Sequence, residues 1–182
     1  MNKLNFNTLK KAFWKIRYFR NPVEYARKKG VRIGKGVTFV DHPNFGSEPY
    51  LISIGDYTRL ASECVFLTHN GGRRVLENLY PEDRPYLKFG AVHVGKNTFI
   101  GARALINPGV TIGDNCVIAA GSVVTKNVPS GEIWGGAPAK RLMSIEQYHD
   151  KMVENTKQYD LDAIHKNKRA ELTRMFMSDF GE

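Results

Sequence analysis

The sequence lacks several features that define whole classes of protein. It has two cysteines in 182 residues, which provide neither a disulfide framework nor a metal-binding spacing. No apolar run approaches the roughly 20 residues that cross a bilayer. The N-terminus carries lysines but lacks the apolar core and small-residue cleavage site of a secretory signal. We therefore expect a cytoplasmic protein in which Cys64 and Cys116 are small buried side chains.

Acidic residues are nearly absent from the N-terminal segment. Residues 1–35 hold eleven basic residues and one acidic residue, Glu24, whereas residues 36–182 hold sixteen basic and seventeen acidic residues. The formal net charge of +9 therefore belongs to the N-terminal segment. A nucleic-acid-binding domain would carry its basic surface on the folded body, so we expect no nucleic-acid partner.

The basic segment itself, residues 1–30, is predicted to be helical, with a break at Asn21-Pro22 because proline suits the first turn of a second helix. Residues 3–20 interleave lysines and arginines with aromatic side chains. Two roles stay open. The aromatics could cap an open end of the fold, or the segment could make peripheral contact with an anionic membrane, leaving the protein at its inner face.

A six-residue repeat dominates the middle of the chain. An aliphatic residue recurs at every sixth position, namely Val94, Ile100, Ile106, Ile112, Ile118 and Val124. Small residues usually follow, which ease corners or close chain approach. An α-helix cannot keep these positions on one face, because six residues turn it through about 600°. The period predicts a parallel β-helix in which three hexads close one triangular coil and residues eighteen apart stack.

Two segments break the period. Residues 43–51 do not fit it, and residues 71–91 form a longer insertion; long loops in compact folds are usually functional or disordered. Beyond the repeat, Ser144 and Gln147 form a capping box, which predicts a helix to about residue 157, followed by another from about 161 to 177. We therefore expect a basic helical segment (1–30), a β-helix domain with its loop at 71–91 (31–143) and a C-terminal helical extension (144–182).

The repeat domain resembles the left-handed β-helix acyltransferases, which include the capsular-polysaccharide, galactoside, maltose and serine O-acetyltransferases. The motifs that carry the resemblance are Val94-Gly-Lys-Asn-Thr-Phe-Ile-Gly-Ala, Ile106-Asn-Pro-Gly-Val-Thr-Ile-Gly-Asp-Asn and Gly135-Gly-Ala-Pro-Ala-Lys. The left hand of the coil is implied by the family alone, since ordinary crossovers are right-handed. The resemblance implies a homotrimeric, acetyl-CoA-dependent O-acetyltransferase that requires no metal.

His69 is the candidate general base among five histidines. Histidine has an ordinary pKa of about 6.5, which suits base catalysis at neutral pH. His69 stands in Phe66-Leu-Thr-His-Asn-Gly-Gly, where the repeat gives way to the long insertion. The family's catalytic histidine stands at this junction, so the resemblance implies the same role here. The alternative is a polar turn that precedes Gly71-Gly72.

The resemblance also implies where acetyl-CoA and the acceptor bind. The family positions that contact the pantetheine arm and nucleotide of CoA are Ala102, Ala120, Ser122, Thr125, Lys126, Lys140 and Arg141. A second family cation is replaced here by Met143, for which Arg141 could substitute. The residues that could bind acceptor hydroxyls are Asn44, Glu48 and Asn70.

Alternatives stay open both for the acceptor molecule and for the reaction. The motif Asn44-Phe-Gly-Ser-Glu-Pro-Tyr, together with Thr68–Gly72, looks most like the capsular-polysaccharide acetyltransferases. This resemblance implies a sugar hydroxyl in surface-polysaccharide synthesis, with serine, a free sugar or a nucleotide sugar as alternatives. A γ-class carbonic anhydrase on the same prism would need three histidine ligands for zinc, and only His69 and His93 lie near the expected active region. A non-catalytic β-helix binding protein should lack either the histidine or the CoA motif.

Overall fold

Short strands wind around a triangular prism in the computed structural model, which describes residues 21–83 and 87–177. Three sheets form its walls: wall 1 contains β1, β3, β6 and β9; wall 2 contains β2, β4, β7, β10, β12 and β13; wall 3 contains β5, β8 and β11. The strands are β1 Arg32–Ile33, β2 Thr38–Phe39, β3 Ile52–Ile54, β4 Arg59–Leu60, β5 Val65–Phe66, β6 Val92–Val94, β7 Phe99–Ile100, β8 Leu105–Ile106, β9 Thr111–Ile112, β10 Val117–Ile118, β11 Val123–Val124, β12 Glu132–Gly136 and β13 Ala139–Ser144.

The register of the later coils confirms the predicted eighteen-residue stacking. The parallel pairs are Val94 with Ile112, Ile100 with Ile118, and Ile106 with Val124. All six side chains are buried in the core of the prism, together with the thiols of Cys64 and Cys116. The aliphatic repeat therefore builds one continuous apolar column, and the β-helix is confirmed. The hand of the coil stays a prediction.

Glycine serves the coil through close approach of neighbouring turns. A Cβ added to Gly101 would lie 2.7 Å from the carbonyl carbon of Ala119 in the next coil. At several corners, residues other than glycine adopt the left-handed backbone conformation, with φ values of 50° at Asn97, 59° at Arg103 and 55° at Asn115. Asn97 Nδ2 donates to Asn115 Oδ1 at 2.8 Å, which links two stacked corners. Asparagine adopts the left-handed conformation more readily than most residues, because its short polar side chain can form local hydrogen bonds.

Both interruptions leave the coil at the same edge of the prism. Arg32 pairs with Ser53 and Asn44 with Val65, at separations of 21 residues, so the first interruption adds three residues between walls 3 and 1. Arg59 pairs with Phe99 at a separation of 40 residues. The second interruption therefore adds 22 residues, also between wall 3 and wall 1. We call this place the insertion edge.

The insertions carry some structure of their own. The first ends in a single 3-10 turn, Pro49–Leu51. The second contains a helix at Arg73–Leu79 and a 3-10 turn at Pro81–Asp83. This helix is α2, because the N-terminal helix Pro22–Lys28 is α1. The expected loop at 71–91 is therefore partly helical.

A hairpin follows the last coil within the domain predicted at residues 31–143. Strands β12 and β13 form an antiparallel hairpin at the edge of wall 2. The chain reverses at Ala137-Pro138, directly after Gly136, whose φ of 97° is accessible to glycine. Lys140 therefore lies on a returning hairpin strand rather than on a further coil.

The helices agree with the expected boundaries. A helix begins at Pro22 as predicted, and the Asn21 side chain accepts a hydrogen bond from the Glu24 backbone N–H at 3.0 Å where α1 begins. Helix α3 spans Ile145–Thr156 and α4 spans Leu161–Met177, with a non-helical residue at Asn167. The predicted roles of residues 3–20 fall outside the described residues.

Two units are distinguished by their internal contacts, residues 1–145 and 146–182. The first contains the prism, and the second contains most of α3 and all of α4. Within the described part of the chain, no helix is long and apolar enough to cross a bilayer.

Candidate functional site

His69 is held at the insertion edge by the closing ends of the second insertion. The Gly90 N–H donates to the Thr68 carbonyl at 2.9 Å, and the Asn70 N–H donates to the Lys88 carbonyl at 3.1 Å. His69 itself forms an antiparallel bridge with Phe89. Backbone hydrogen bonds on both sides of His69 therefore hold the predicted base in place, although it directly precedes a long insertion.

Glu48 reaches His69 from the first insertion. The Oε2 atom of Glu48 lies 2.9 Å from His69 Nδ1 and accepts a hydrogen bond from the Thr68 hydroxyl at 2.6 Å. An ionised carboxylate only accepts, so Nδ1 carries the proton and Nε2 is left as the acceptor nitrogen. The arrangement selects the imidazole tautomer that a general base requires.

The charge of Glu48 is favoured by the same contacts. The hydrogen bond from the Thr68 hydroxyl, and after it the one from His69, hold the pKa of the Glu48 carboxyl below its ordinary value. Thr68 is buried, with 1% of its surface exposed, so its hydroxyl is a fixed donor. Glu48 is therefore suited to orient His69 and to stabilise the imidazolium that forms when His69 takes a proton.

A cleft of about 390 Å³ opens beside this pair of side chains. Its base includes Glu48, His69 and Asn70. Its sides come from α2 and from the returning end of the second insertion; their residues include Arg73, Arg74, Glu77, Leu87, Lys88 and Phe89. His69 is accessible there, with 44% of its side chain exposed. The cleft can present a small polar molecule to the imidazole.

The three predicted acceptor residues separate into two places. Glu48 and Asn70 line the cleft, whereas Asn44 lines a neighbouring cavity of about 520 Å³ near α1. The Asn44 side chain also accepts a hydrogen bond from the Gly46 N–H at 2.9 Å, so it shapes the first insertion. Asn70 accepts from the Gly72 N–H at 2.8 Å in the same way.

The residues expected to contact CoA lie at three places on the prism. Thr125 and Lys126 follow β11, at the edge between walls 3 and 1, and Lys140 and Arg141 lie on β13 in wall 2. Ala102, Ala120 and Ser122 lie at the edge between walls 2 and 3. Ala102 and Ala120 stand at stacked corners there, and the Gly121 N–H donates to the Ala102 carbonyl at 2.8 Å. Ser122 is completely buried, and its hydroxyl donates to the Ala119 carbonyl at 2.6 Å. Its side chain therefore belongs to the prism interior, which leaves its backbone for any cofactor contact.

The residues expected at the nucleotide end of CoA are exposed, but they differ in their contacts with the rest of the protein. Thr125, Lys126 and Lys140 are exposed to solvent. Arg141 Nε instead donates to Glu132 Oε1 at 2.9 Å across the β12–β13 hairpin. Part of the Arg141 guanidinium is thus occupied by a structural ion pair.

Other groups that could carry chemistry are less well placed. Burial raises the pKa of the Cys64 thiol to about 11, which disfavours the nucleophilic thiolate. His93 Nδ1 lies 2.7 Å from Ser53 Oγ on wall 1, and His93 does not line the cleft. Among residues 21–83 and 87–177, no three His, Cys, Asp or Glu side chains converge as metal ligands.

The cationic side chains of the cleft were not predicted as site residues. Arg73 and Arg74 are adjacent in an insertion next to the candidate base, which is a weak signal visible in the sequence. Lys88 carries no such signal, because only the closure of the insertion brings it back beside His69.

Comparison with known proteins gives a consistent result. The family model described as "Hexapeptide repeat of succinyl-transferase" matches residues 91–126. The chain is 42% identical over 149 residues to Protein CapG of Staphylococcus aureus, covering 81% of this chain and 85% of CapG. It is 33% identical over 129 residues to galactoside O-acetyltransferase of Escherichia coli, covering 68% of this chain and 59% of that relative. The solved hexapeptide-repeat acetyltransferase of Vibrio cholerae shares the fold, with a TM-score of 0.51 and 24% identity over 69% of this chain and 80% of that structure.

Proposed function

Because this chain belongs to the hexapeptide-repeat acyltransferase family, we propose that it transfers an acetyl group from acetyl-CoA to a hydroxyl of a sugar, with His69 as the general base. The observation that carries the proposal is the contact between Glu48 and His69 Nδ1 at 2.9 Å, which leaves Nε2 as a proton acceptor beside an open cleft. Acyl transfer is favoured over carbonic anhydrase chemistry because a curated relative is named an acetyltransferase.

The proposed reaction is direct transfer. Nε2 of His69 removes the proton of the acceptor hydroxyl as its oxygen attacks the thioester carbonyl. The tetrahedral intermediate then collapses, the carbon–sulfur bond breaks, and the His69 imidazolium returns the proton to the leaving thiolate. Glu48 acts as a positioning residue that keeps the ring in the required tautomer. The raised pKa of Cys64 argues against a thiolate nucleophile and supports a path without an acyl-enzyme.

Acetyl-CoA is proposed to bind along the edge between walls 2 and 3. Ala102 and Ala120 leave room for the pantetheine arm, and the backbone around Ser122 offers polar groups. Lys126 and Lys140, aided by Thr125 and the remaining donors of Arg141, would contact the phosphate-bearing end.

A homotrimer with shared sites is proposed on the same grounds. The insertion edge carries His69, whereas Ala102 and Ala120 stand at a different corner of the same prism. A neighbouring subunit would bring the two kinds of edge together and deepen the cleft, since ligand sites are usually concave. The coil is proposed to be left-handed, as in the family. Sedimentation at the assay concentration tests the assembly, and an active strict monomer would contradict shared sites.

The acceptor is proposed to be a sugar in surface-polysaccharide synthesis. The resemblance of Thr68–Gly72 to the capsular-polysaccharide acetyltransferases supports this choice over serine or a free sugar. The test is a screen of hydroxyl and amine acceptors for release of the CoA thiol from acetyl-CoA, with the His69→Ala protein as the blank. We expect His69-dependent transfer to a glycan hydroxyl. Transfer to amines alone would overturn the proposal.

A further inference from the structure

The cleft beside His69 is lined by three cations that the proposed acetyl transfer does not use. Arg73 and Arg74 project from the first turn of α2, and Lys88 comes from the returning end of the same insertion. The side chains of Arg73 and Arg74 are 50% and 79% exposed. Two separate backbone segments therefore present positive charge to one cleft.

The carboxylates of the cleft are already engaged. Glu77 is buried, with 8% of its surface exposed, and forms ion pairs with Arg73 and, at 3.7 Å, with Arg74. One buried carboxylate is thus paired with two guanidinium groups. Glu48 is committed to Thr68 and His69.

The resulting balance is positive. With His69 neutral, three cations face two carboxylates, and Lys88 forms no ion pair with any carboxylate of the described residues. The chain beyond residue 35 is otherwise almost neutral. The local excess at the candidate base is therefore not part of a generally basic surface.

We propose that the acceptor is anionic, with a carboxylate or phosphate close to the hydroxyl that is acetylated, and that Arg74 and Lys88 bind this anion. The inference rests on the proposed function and adds the charge of its acceptor. Hydrogen bonds between a cation and a carboxylate or phosphate are short and directional. An anion anchored at the rim would restrict the sugar and bring one hydroxyl to His69 Nε2, which is the positioning that accelerates a reaction between two bound molecules.

The test uses the full-length protein and three sugar probes of similar size: neutral methyl glucoside, methyl glucuronide, which carries a carboxylate, and glucose 1-phosphate, which carries a phosphate. Dissociation constants are measured by titration calorimetry, and acetyl transfer is followed by CoA thiol release. We expect at least one anionic probe to bind roughly three- to tenfold more tightly than methyl glucoside at low salt. The comparison of the two anionic probes distinguishes a uronic acid from a sugar phosphate.

Variants assign the preference to its residues. Arg74→Gln and Lys88→Gln should each reduce the anionic advantage and its dependence on salt, because added ions screen exposed charges. Lys96→Gln is the matched control, since Lys96 is an exposed lysine in the turn after β6 and does not line the cleft. It should retain the full preference.

Several outcomes would overturn the inference. These are equal binding of methyl glucoside, failure of both anionic probes to bind, and a preference that survives both substitutions. A rise in the KM for acetyl-CoA with unchanged acceptor preference would assign the cations to the cofactor instead. His69-dependent acetylation of neutral sugars without any anionic preference contradicts this inference alone, whereas absence of transfer to every hydroxyl acceptor contradicts the proposed function.

Discussion

The regular coils and the insertion edge follow opposite rules of construction. In the coils formed by β6 to β11, stacked residues are eighteen positions apart, and the interior is a column of aliphatic groups. At the insertion edge the period fails twice, and polar side chains from distant segments meet around His69. A repetitive scaffold can therefore hold an irregular site without losing its core, because the added residues leave the coil outward at one edge.

The largest predicted effect is the loss of activity on removal of the candidate base, which should leave the stability of the coil almost unchanged. We expect His69→Ala to lower the turnover rate by about 10²- to 10⁴-fold, the usual cost of removing a general base. The coil does not depend on this exposed side chain, so the free energy of unfolding should change little. Steady-state assays on the acceptor found by the screen measure the first quantity, and denaturant unfolding measures the second.

A second histidine provides the control for this prediction. His149 is exposed on α3, and His149→Ala should retain the wild-type rate. Equal rates for wild type and His69→Ala would remove the general-base assignment, whatever the behaviour of His149→Ala.

Truncation of a large apolar side chain should lower the free energy of unfolding strongly in the coil and little in the second insertion. Ile118 is completely buried in the coil, whereas Leu79 is 63% exposed at the end of α2. We expect Ile118→Ala to cost about 2–5 kcal/mol in the free energy of unfolding, and Leu79→Ala to change it by no more than about 0.5 kcal/mol.

Denaturant titrations at one fixed protomer concentration compare these variants, because assembly makes apparent stability depend on concentration. If Leu79→Ala proved as destabilising as Ile118→Ala, the insertion would be part of the cooperative core, and the contrast between the two regions would fail.

Loss of the orienting carboxylate should have a smaller effect than loss of the base. We expect Glu48→Gln to lower kcat by at least about tenfold, because the neutral amide neither fixes the tautomer of His69 nor stabilises its imidazolium. A Glu48→Asp variant should recover part of the rate if the charge is what matters. Should Glu48 bind the acceptor instead, its replacement would mainly raise the acceptor KM and leave kcat near the wild-type value.

The period made the coil predictable, whereas its absence at the insertion edge left the contacts between the site residues unpredicted. Every sixth aliphatic residue implies its own partner, so the pairing of Ile100 with Ile118 followed from the spacing alone. The contact between Glu48 and His69 joins two insertions whose lengths of three and 22 extra residues obey no repeat. Their meeting depends on both leaving the coil between walls 3 and 1, which only the strand pairings reveal.

The hairpin that follows the last coil was not predicted, for a different reason. Residues 135–140 match a glycine-rich cofactor motif, and nothing in that motif distinguishes one more coil from a reversal of the chain. In the structure the chain reverses directly after Gly136 and forms the β12–β13 hairpin. Arg141 then meets Glu132 across the hairpin, a contact that a continuing coil would not make.

The smallest predicted effect concerns stability against pH at the insertion edge. The contacts of Glu48 with Thr68 and His69 lower its pKa in the folded protein, so the unfolded chain binds the proton more readily and the ionised carboxylate favours folding. This contribution is fully present above the ordinary glutamate pKa of 4.5 and is lost as the pH falls through the lower value of the folded state. Glu48→Gln should therefore lower the melting temperature slightly at pH 7, and the difference from wild type should shrink below about pH 4.5. Thermal unfolding of both proteins between pH 7 and pH 3 measures it, with Glu63→Gln, an exposed glutamate on the coil, as the comparison. A gap between wild type and Glu48→Gln that persisted unchanged at pH 3 would mean that the side chain acts there by packing, and that the charge of Glu48 does not hold the two insertions together.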